Sequence, residues 1–321
     1  MRRRDFLAAT GAALLPASVA AQPPQPPLIG VLRVGGRADD QFEQVFRRDL
    51  ARLGWEDGKT YRLQILFADN DSSRLPALAA ELVKAGSKVL VAFGQVGVAT
   101  VQSASREIPI VAMSDDLVER GLVASMARPD GNTTGVSVLA RELDVKRLEV
   151  LHEFAPQATK IGVVIDDVFA IGGALETLQA AAPRLGLALT VVHVQTPAEI
   201  APAMATLAAA KVEAVQFLAS PFLHGTRAVF MAEMNRMKVP ALYEWPETVE
   251  DGGLLAYGPR ISLCYRHVAV LVNKVLHGAK PADLPVEQPT IFTLAINTRT
   301  ALAIGLQVPE QMLLRADVVV D

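Results

Sequence analysis

The sequence has few of the residues on which catalytic and metal sites depend. Its 321 residues include one cysteine, Cys264, and five histidines that are scattered along the chain. A single cysteine cannot form a disulfide within the chain, and inside a predicted helix it is expected to be a small core residue. The histidine spacing brings no pair onto one metal ion, so each histidine is expected to be structural or exposed to solvent. Thiol catalysis and a histidine-based metal site are therefore not expected.

Motifs typical of several enzyme classes are missing as well. The chain contains neither G-x-S-x-G nor G-x-x-x-x-G-K-[ST], and Gly94-Gln95-Val96-Gly97 has the wrong spacing for a dinucleotide fingerprint. Lys and Arg form no long run after residue 4, and the formal net charge is −3, which argues against a nucleic-acid partner. We expect a protein that is not an enzyme and that needs no cofactor or metal.

The N-terminus has the pattern of an export signal. Arg3-Arg4-Asp5-Phe6-Leu7 fits the twin-arginine sequence R-R-x-F-L, and a mildly apolar stretch of Ala and Gly leads to small residues at Ala20-Ala21. A glycine and a proline interrupt that stretch, which is too short to stay in a membrane. We expect a signal peptide over residues 1–21, export by the twin-arginine or the general route, and a soluble periplasmic protein without a lipid anchor. The prolines of residues 22–27 predict an extended linker.

From residue 28 onward, short apolar runs alternate with amphipathic helices. The runs at 28–32, 88–93 and 108–113 are typical of buried parallel strands. A turn-rich passage at 128–135 interrupts the alternation, and a second series of similar length begins with a strand at 160–165. The pattern predicts an α/β protein of two lobes, each a doubly wound parallel sheet with right-handed βαβ connections.

The candidate ligand-binding residues follow the predicted strands, because open parallel sheets bind ligands at the carboxyl ends of their strands. Glycines before a helix leave backbone N–H groups for an anion, carboxylates suit an ammonium group, and aromatic rings suit an apolar or cationic group. In the first series the candidates are Gly35, Gly36, Gly94, Gln95, Ser114, Asp115 and Asp116. In the second series they are Asp166, Asp167, Phe169, Ser220, Phe222, Tyr243, Glu244, Trp245 and Tyr257. These loops would converge on one cleft if the two lobes face each other.

Several passages, taken in order along the chain, resemble one family. They include Arg128-Pro129-Asp130-Gly131-Asn132-Thr133-Thr134-Gly135, Lys146-Arg147-Leu148-Glu149, and Gly252-Gly253-Leu254 with Tyr257-Gly258-Pro259. On these residues the chain from about residue 28 to 321 is similar to ABC transporter substrate-binding proteins. That family includes tryptophan- and tyrosine-binding members and has the type I periplasmic-binding-protein fold.

The resemblance implies a Venus-flytrap mechanism. A small solute would bind between two lobes joined by a three-strand hinge, and an ABC permease in the inner membrane would recognise the closed form. The family pattern implies a first lobe of residues 28–134 plus 259–286, a second lobe of 135–258 plus 287–321, and a monomer.

The ligand implied by the family is an amino acid or a related carboxylate. This chain has Asp166-Asp167 where the family commonly has Asn-Pro, and the added negative charge leaves room for a more cationic or polyhydroxylated ligand. Two other functions remain open at this point. One is a periplasmic sensor of the same fold that feeds a signalling receptor, and the other is a doubly wound enzyme, against which the histidine distribution argues.

Overall fold

The computed structural model describes residues 25–37, 41–139, 143–166 and 173–321. The expected signal peptide, the first half of the proline-rich linker and the candidates Asp167 and Phe169 lie outside these ranges. Nowhere within them is there a helix with the length and apolar character needed to cross a membrane.

The first lobe is built on a sheet of five parallel strands in the order β2-β1-β3-β4-β5. Its strands are β1 (Leu28–Arg33), β2 (Arg62–Phe67), β3 (Val89–Phe93), β4 (Ile110–Ser114) and β5 (Thr133–Ser137). The helices packed on it are α1 (Phe42–Arg52), α2 (Leu75–Lys84), α3 (Gly94–Ala104) and α10 (Ile261–Leu276). Every residue of β3 and β4 is buried, because helices cover both faces of the sheet.

Helix α10 comes late in the chain but packs in the first lobe. Its residues Val268 and Val272 share an apolar cluster with Phe42 and Phe46 of α1. Cys264 lies in the same cluster, and burial raises the pKa of its thiol to about 12. The structure therefore confirms that the single cysteine is a core residue.

The second lobe is built on a seven-stranded sheet in the order β12-β11-β10-β9-β8-β6-β7. Its strands are β6 (Lys160–Ile165), β7 (Ala188–His193), β8 (Ala214–Phe217), β9 (Ala241–Tyr243), β10 (Leu255–Gly258), β11 (Thr293–Asn297) and β12 (Val318–Val320). Its helices are α4 (Asp144–Phe154), α5 (Ala174–Ala181), α6 (Pro197–Ala209), α7 (Pro221–Gly225), α8 (Arg227–Met237), α9 (Pro246–Glu250), α11 (Thr298–Ala303) and α12 (Glu310–Arg315). The strands β6 to β10 repeat the strand order of the first sheet.

The second sheet departs from the all-parallel prediction at one pair of strands. β11 runs antiparallel to β10, and β12 is parallel to β11. The reason is the path of the chain between the lobes. β10 leads out of the second lobe towards α10, whereas β11 brings the chain back, so the two neighbouring strands run in opposite directions.

The chain passes between the lobes after β5, after β10 and after α10. The predicted boundary between residues 134 and 135 falls inside β5, all of which lies in the first sheet, so the first lobe reaches at least Ser137. The turn-rich passage precedes this strand and does not end the lobe. At the third crossing Glu287 pairs with the same strand, its N–H donating to Gly135 O and its carbonyl accepting from Ser137 N, both at 2.9 Å.

Candidate functional site

A cavity of about 120 Å³ lies between the lobes at the carboxyl ends of their strands. From the first lobe it is lined by Arg33, Val34, Gly35, Gly36, Phe93, Gly94, Gln95, Met113, Ser114, Asp115, Arg120, Val138, Ile261 and Tyr265. From the second lobe it is lined by Asp144, Ile165, Asp166, Ala174, Leu218, Ala219, Ser220, Pro221, His224, Gly225 and Trp245. Most of the lining is apolar or aromatic, and a few charged and polar side chains project into it, which is the usual make-up of a small-molecule site.

Arg33 brings a positive charge to the first-lobe wall. Its guanidinium carbon lies 4.1 Å from the centroid of the Phe93 ring and 5.9 Å from that of Tyr265. The faces of aromatic rings attract a guanidinium group and hold it in a fixed position. Arg33 ends β1, so the strand itself sets the depth of this charge in the cavity.

Arg120 is a second cation on the same wall, and sequence reasoning missed it. It lies in the turn after β4, half-buried, and its side chain makes no ion pair or hydrogen bond with any residue of the described ranges. Nearby, the Asp116 carboxylate accepts from Val118 N at 2.8 Å and Glu119 N at 3.0 Å, which shapes the turn. Asp116 was a candidate itself, but it caps the turn and does not line the cavity.

On the second-lobe wall, Asp166 and Ser220 lie side by side. The Ser220 hydroxyl donates to Asp166 Oδ2 at 2.6 Å and accepts from Phe222 N and Leu223 N at 3.0 and 3.2 Å. Ser220 is therefore both the cap of α7 and a support for the carboxylate. Asp166 is only 3% exposed, so its charge acts in a medium of low dielectric constant.

Asp144 adds a carboxylate that the sequence did not indicate. It opens α4 directly after the first crossing between the lobes, and it pairs with Arg147 one turn along the helix, Nη1 to Oδ1 at 2.9 Å. Arg147 is completely buried, and it donates from Nε to Tyr257 O at 2.8 Å and from Nη2 to Glu244 O at 3.4 Å. The spacing of three residues in a helix was the available signal.

His224 and Trp245 complete this wall. Their rings meet edge to face with centroids 6.5 Å apart. Burial, followed by the positive charges of Arg227 and Arg33, lowers the pKa of His224 to about 3, so its imidazole is neutral. Trp245 also packs with Ile261 and Tyr265 in the apolar cluster of the first lobe, which joins the two walls.

A family model described as ABC transporter substrate binding protein matches residues 30–320. The chain belongs to this family. The members of this family and the relatives found are binding proteins rather than enzymes. This chain is therefore a binding protein and not an enzyme.

Three relatives illustrate what this substrate-binding protein is similar to. A tyrosine-binding protein of Clostridioides difficile is 24% identical over 270 residues, which cover 84% of this chain and 77% of the relative. The structure of an ABC domain in complex with L-Trp from Streptococcus pneumoniae superimposes with a TM-score of 0.81 at 23% identity. The superposition covers 92% of this chain and 100% of that chain. A conserved domain protein from Vibrio cholerae gives a TM-score of 0.83 at 24% identity, with the same coverage of 92% and 100%. Together with the topology, these structures confirm the type I periplasmic-binding-protein fold.

The structure of this substrate-binding protein brings together part of the predicted set of ligand-binding residues. The candidates that line the cavity are Gly35, Gly36, Gly94, Gln95, Ser114, Asp115, Asp166, Ser220 and Trp245. Each of them lies within a few residues after a predicted strand.

Besides Asp116, four candidates of the second series do not face the cavity. The ring of Tyr243 stacks on Phe217 in the core, with centroids 4.8 Å apart, and Phe222 is buried in the same apolar cluster. Glu244 is buried behind the wall, and Tyr257 packs near Phe292 at 6.5 Å. Because side chains alternate in direction along an extended chain, Glu244 points away from Trp245, whereas Tyr243 lies within β9 and packs in the core.

One of the five histidines, His224, lines the cavity, which the sequence did not indicate. In the described ranges no group of three or more His, Cys, Asp or Glu side chains is arranged to hold a metal ion. The side chains that line the cavity offer hydrogen-bonding groups, charges and aromatic faces.

Proposed function

We propose that this substrate-binding protein serves an ABC importer and captures an amino acid or a related carboxylate in the cavity between its lobes. The observation that carries the proposal is that residues of both lobes line one cavity at the carboxyl ends of the strands. A ligand that contacts both lobes stabilises their closed arrangement, and the three crossings of the chain provide the hinge.

The charges around the cavity support an amino-acid ligand. Arg120, which has no partner in the described ranges, is available for a carboxylate, and Arg33 lies on the same wall. Asp166 on the opposite wall suits an ammonium group. Phe93, Trp245 and several aliphatic side chains suit an apolar or aromatic side chain. Two relatives are described by their ligands as tyrosine-binding and as a complex with L-Trp, and these ligands have the same three chemical features.

The location and partners belong to the same proposal. The predicted signal peptide would export the chain to the periplasm, where it would act as a monomer. The closed form would then deliver the ligand to an ABC permease in the inner membrane.

A thermal-shift screen tests the ligand class. We expect amino acids to raise the melting temperature, because a ligand at 100 times its Kd stabilises the native state by about 2.7 kcal/mol. Small carboxylates, purines and sugars serve as comparison sets in the same assay. Stabilisation by a sugar or a purine, with no response to any amino acid, would overturn the proposed ligand class.

Closure is tested with a ligand found in that screen. Small-angle X-ray scattering should show a smaller radius of gyration with the ligand than without it. An unchanged radius at saturation would contradict the closure mechanism while leaving binding intact.

A further inference from the structure

His224 is a buried polar side chain whose hydrogen-bonding capacity the described protein does not use. It is 9% exposed, it lines the cavity, and its Nδ1 atom is buried without a hydrogen-bond partner among the described residues. No described residue bonds to either ring nitrogen. Polar atoms buried in this way are uncommon, because their loss of water is not repaid by a protein partner.

The fold holds this ring in place by contacts that leave its nitrogens unoccupied. Ser220 caps α7, and the N–H of His224 donates to Ser220 O at 2.9 Å. Arg227 Nη1 donates to the His224 carbonyl oxygen at 2.9 Å, and Arg227 is itself fixed by an ion pair with Asp251 at 2.8 Å. The backbone is thus anchored on both sides, and Trp245 limits the ring from its edge.

The low pKa of His224 defines what the ring can bind. A neutral imidazole has one nitrogen that donates and one that accepts, so it complements a group that is uncharged and polar. It offers no positive charge to a carboxylate.

Gln95 supplies a second unused polar atom from the opposite lobe. Its Oε1 is also buried with no hydrogen-bond partner in the part of the chain that the structure describes, and the residue lines the same cavity. An acceptor on one wall and a donor–acceptor ring on the other match a hydroxyl or a carboxamide better than a purely apolar group.

We infer that His224 is a specificity-determining residue of the cavity, whose imidazole hydrogen-bonds an uncharged polar group, a hydroxyl or a carboxamide, on the side chain of the ligand. The inference rests on the proposed amino-acid ligand and goes beyond it by assigning which side chains are selected. Gln95 contributes to the same selection from the first lobe.

Isothermal titration calorimetry of the full chain tests this with two matched pairs of probes. L-tyrosine and L-phenylalanine differ by one hydroxyl, and L-glutamine and L-methionine differ chiefly by the carboxamide. The wild-type protein should bind the polar member of at least one pair about tenfold or more tightly. His224→Leu should reduce that preference to about twofold or less, with the affinity for the apolar member changed by less than about threefold.

A second pair of variants separates this role from a structural one. His224→Gln and His224→Asn keep a polar atom near the position of one ring nitrogen, and at least one of them should restore part of the preference. His152→Leu is the matched control, because the Nδ1 of His152 is also buried without a partner but the residue lies on α4 outside the cavity. That control should leave the preference unchanged. If circular dichroism shows that His224→Leu does not fold, the two amide variants carry the test.

The outcomes distinguish the two levels of the proposal. If the wild type binds none of the amino acids of the screen, the proposed ligand class fails and this inference fails with it. If it binds them without preference for the polar members, or if the preference survives in every His224 variant, only the inference about His224 is overturned.

Discussion

The charged side chains of the two cavity walls differ in the partners they have within the protein. On the second-lobe wall the carboxylate of Asp144 is neutralised by the buried Arg147, and Asp166 receives a hydrogen bond from Ser220. On the first-lobe wall Arg33 rests on aromatic faces, and Arg120 has no partner among the described residues. The carboxylates of the second-lobe wall thus have partners within that lobe, whereas Arg120 of the first-lobe wall has none among the described residues.

The difference indicates which lobe the anionic group of the proposed ligand would engage. The carboxylate of the proposed ligand would gain most from Arg120, which has no partner among the described residues, because a charge that is already paired interacts less strongly with a ligand. The second lobe contributes a rigid surface with fixed hydrogen-bonding groups. In the proposed closure, an electrostatic contact on one wall would be joined with a shape-selective contact on the other.

The largest effect is expected where the internal pairing of the second wall is broken. Arg147→Met leaves Asp144 buried without its cation, and we expect the free energy of unfolding to fall by about 3–5 kcal/mol. Urea denaturation followed by circular dichroism measures this.

Two comparisons check that interpretation. Lys146→Met removes an exposed ion pair with Glu149 at 2.9 Å, and it should cost less than about 1 kcal/mol. The double variant Arg147→Met with Asp144→Asn should be more stable than Arg147→Met alone. If Arg147→Met is as stable as Lys146→Met, the Asp144–Arg147 pair does not stabilise the second-lobe wall.

A second prediction concerns Glu244, which lies behind the same wall. Burial above all raises the pKa of its carboxyl to about 7, and its Oε1 has no hydrogen-bond partner in the described ranges. In the unfolded chain the pKa of a glutamate is about 4.3, so between the two values the native state binds more protons. Stability therefore falls as the pH rises through this window, by at most about 4 kcal/mol, and levels off above pH 7.

The measurement is the free energy of unfolding at intervals from pH 4.5 to 8. Glu244→Gln should lack this component of the pH dependence, and its advantage over the wild type should grow as the pH rises. Glu149→Gln, at an exposed position of α4, is the matched control. Identical pH profiles for the wild type and Glu244→Gln would contradict the prediction.

The smallest effects compare the two walls directly through ligand binding. Arg120→Gln and Asp166→Asn should each weaken an amino-acid ligand by about 1.5–3 kcal/mol, because each removes one charge-assisted hydrogen bond. Calorimetry with the amino acid and with its amine lacking the carboxylate separates them. Arg120→Gln should affect only the amino acid, whereas Asp166→Asn should weaken both ligands.

Either of two results would change the comparison between the walls. If Arg120→Gln weakens the amine as much as the amino acid, the carboxylate does not engage that cation. If Asp166→Asn binds the amino acid as tightly as the wild type does, the ammonium group is held elsewhere.

Part of the site was predictable because it depends on strand ends. Gly35, Gln95, Asp115, Asp166 and Ser220 follow apolar runs, and parallel strands place such residues at one edge of a sheet. The direction of a side chain at a strand end was not predictable. Tyr243 and Glu244 stand beside Trp245 in the chain, yet only Trp245 reaches the cavity.

The residues that sequence reasoning missed depend on contacts between distant segments. Arg147 matters because β10 and the end of β9 bring two carbonyl oxygens to it from more than 90 residues away, at separations of 110 and 97 residues. His224 lies on the five-residue helix α7, which is too short to show helical periodicity in the sequence. Its contact with the ring of Trp245 leaves no periodic pattern in the sequence from which it could have been predicted.

The sequence alone determined the class of this protein: two α/β lobes, the absence of catalytic motifs and the strand-end loops that could meet a ligand. Local hydrophobic patterns suffice for these, because they set which segments become buried strands and amphipathic helices. The end of the first lobe, the antiparallel direction of β11 and the set of side chains that share the cavity required the folded structure. Those features arise from the path of the chain between the lobes, which brings together residues that local sequence cannot relate.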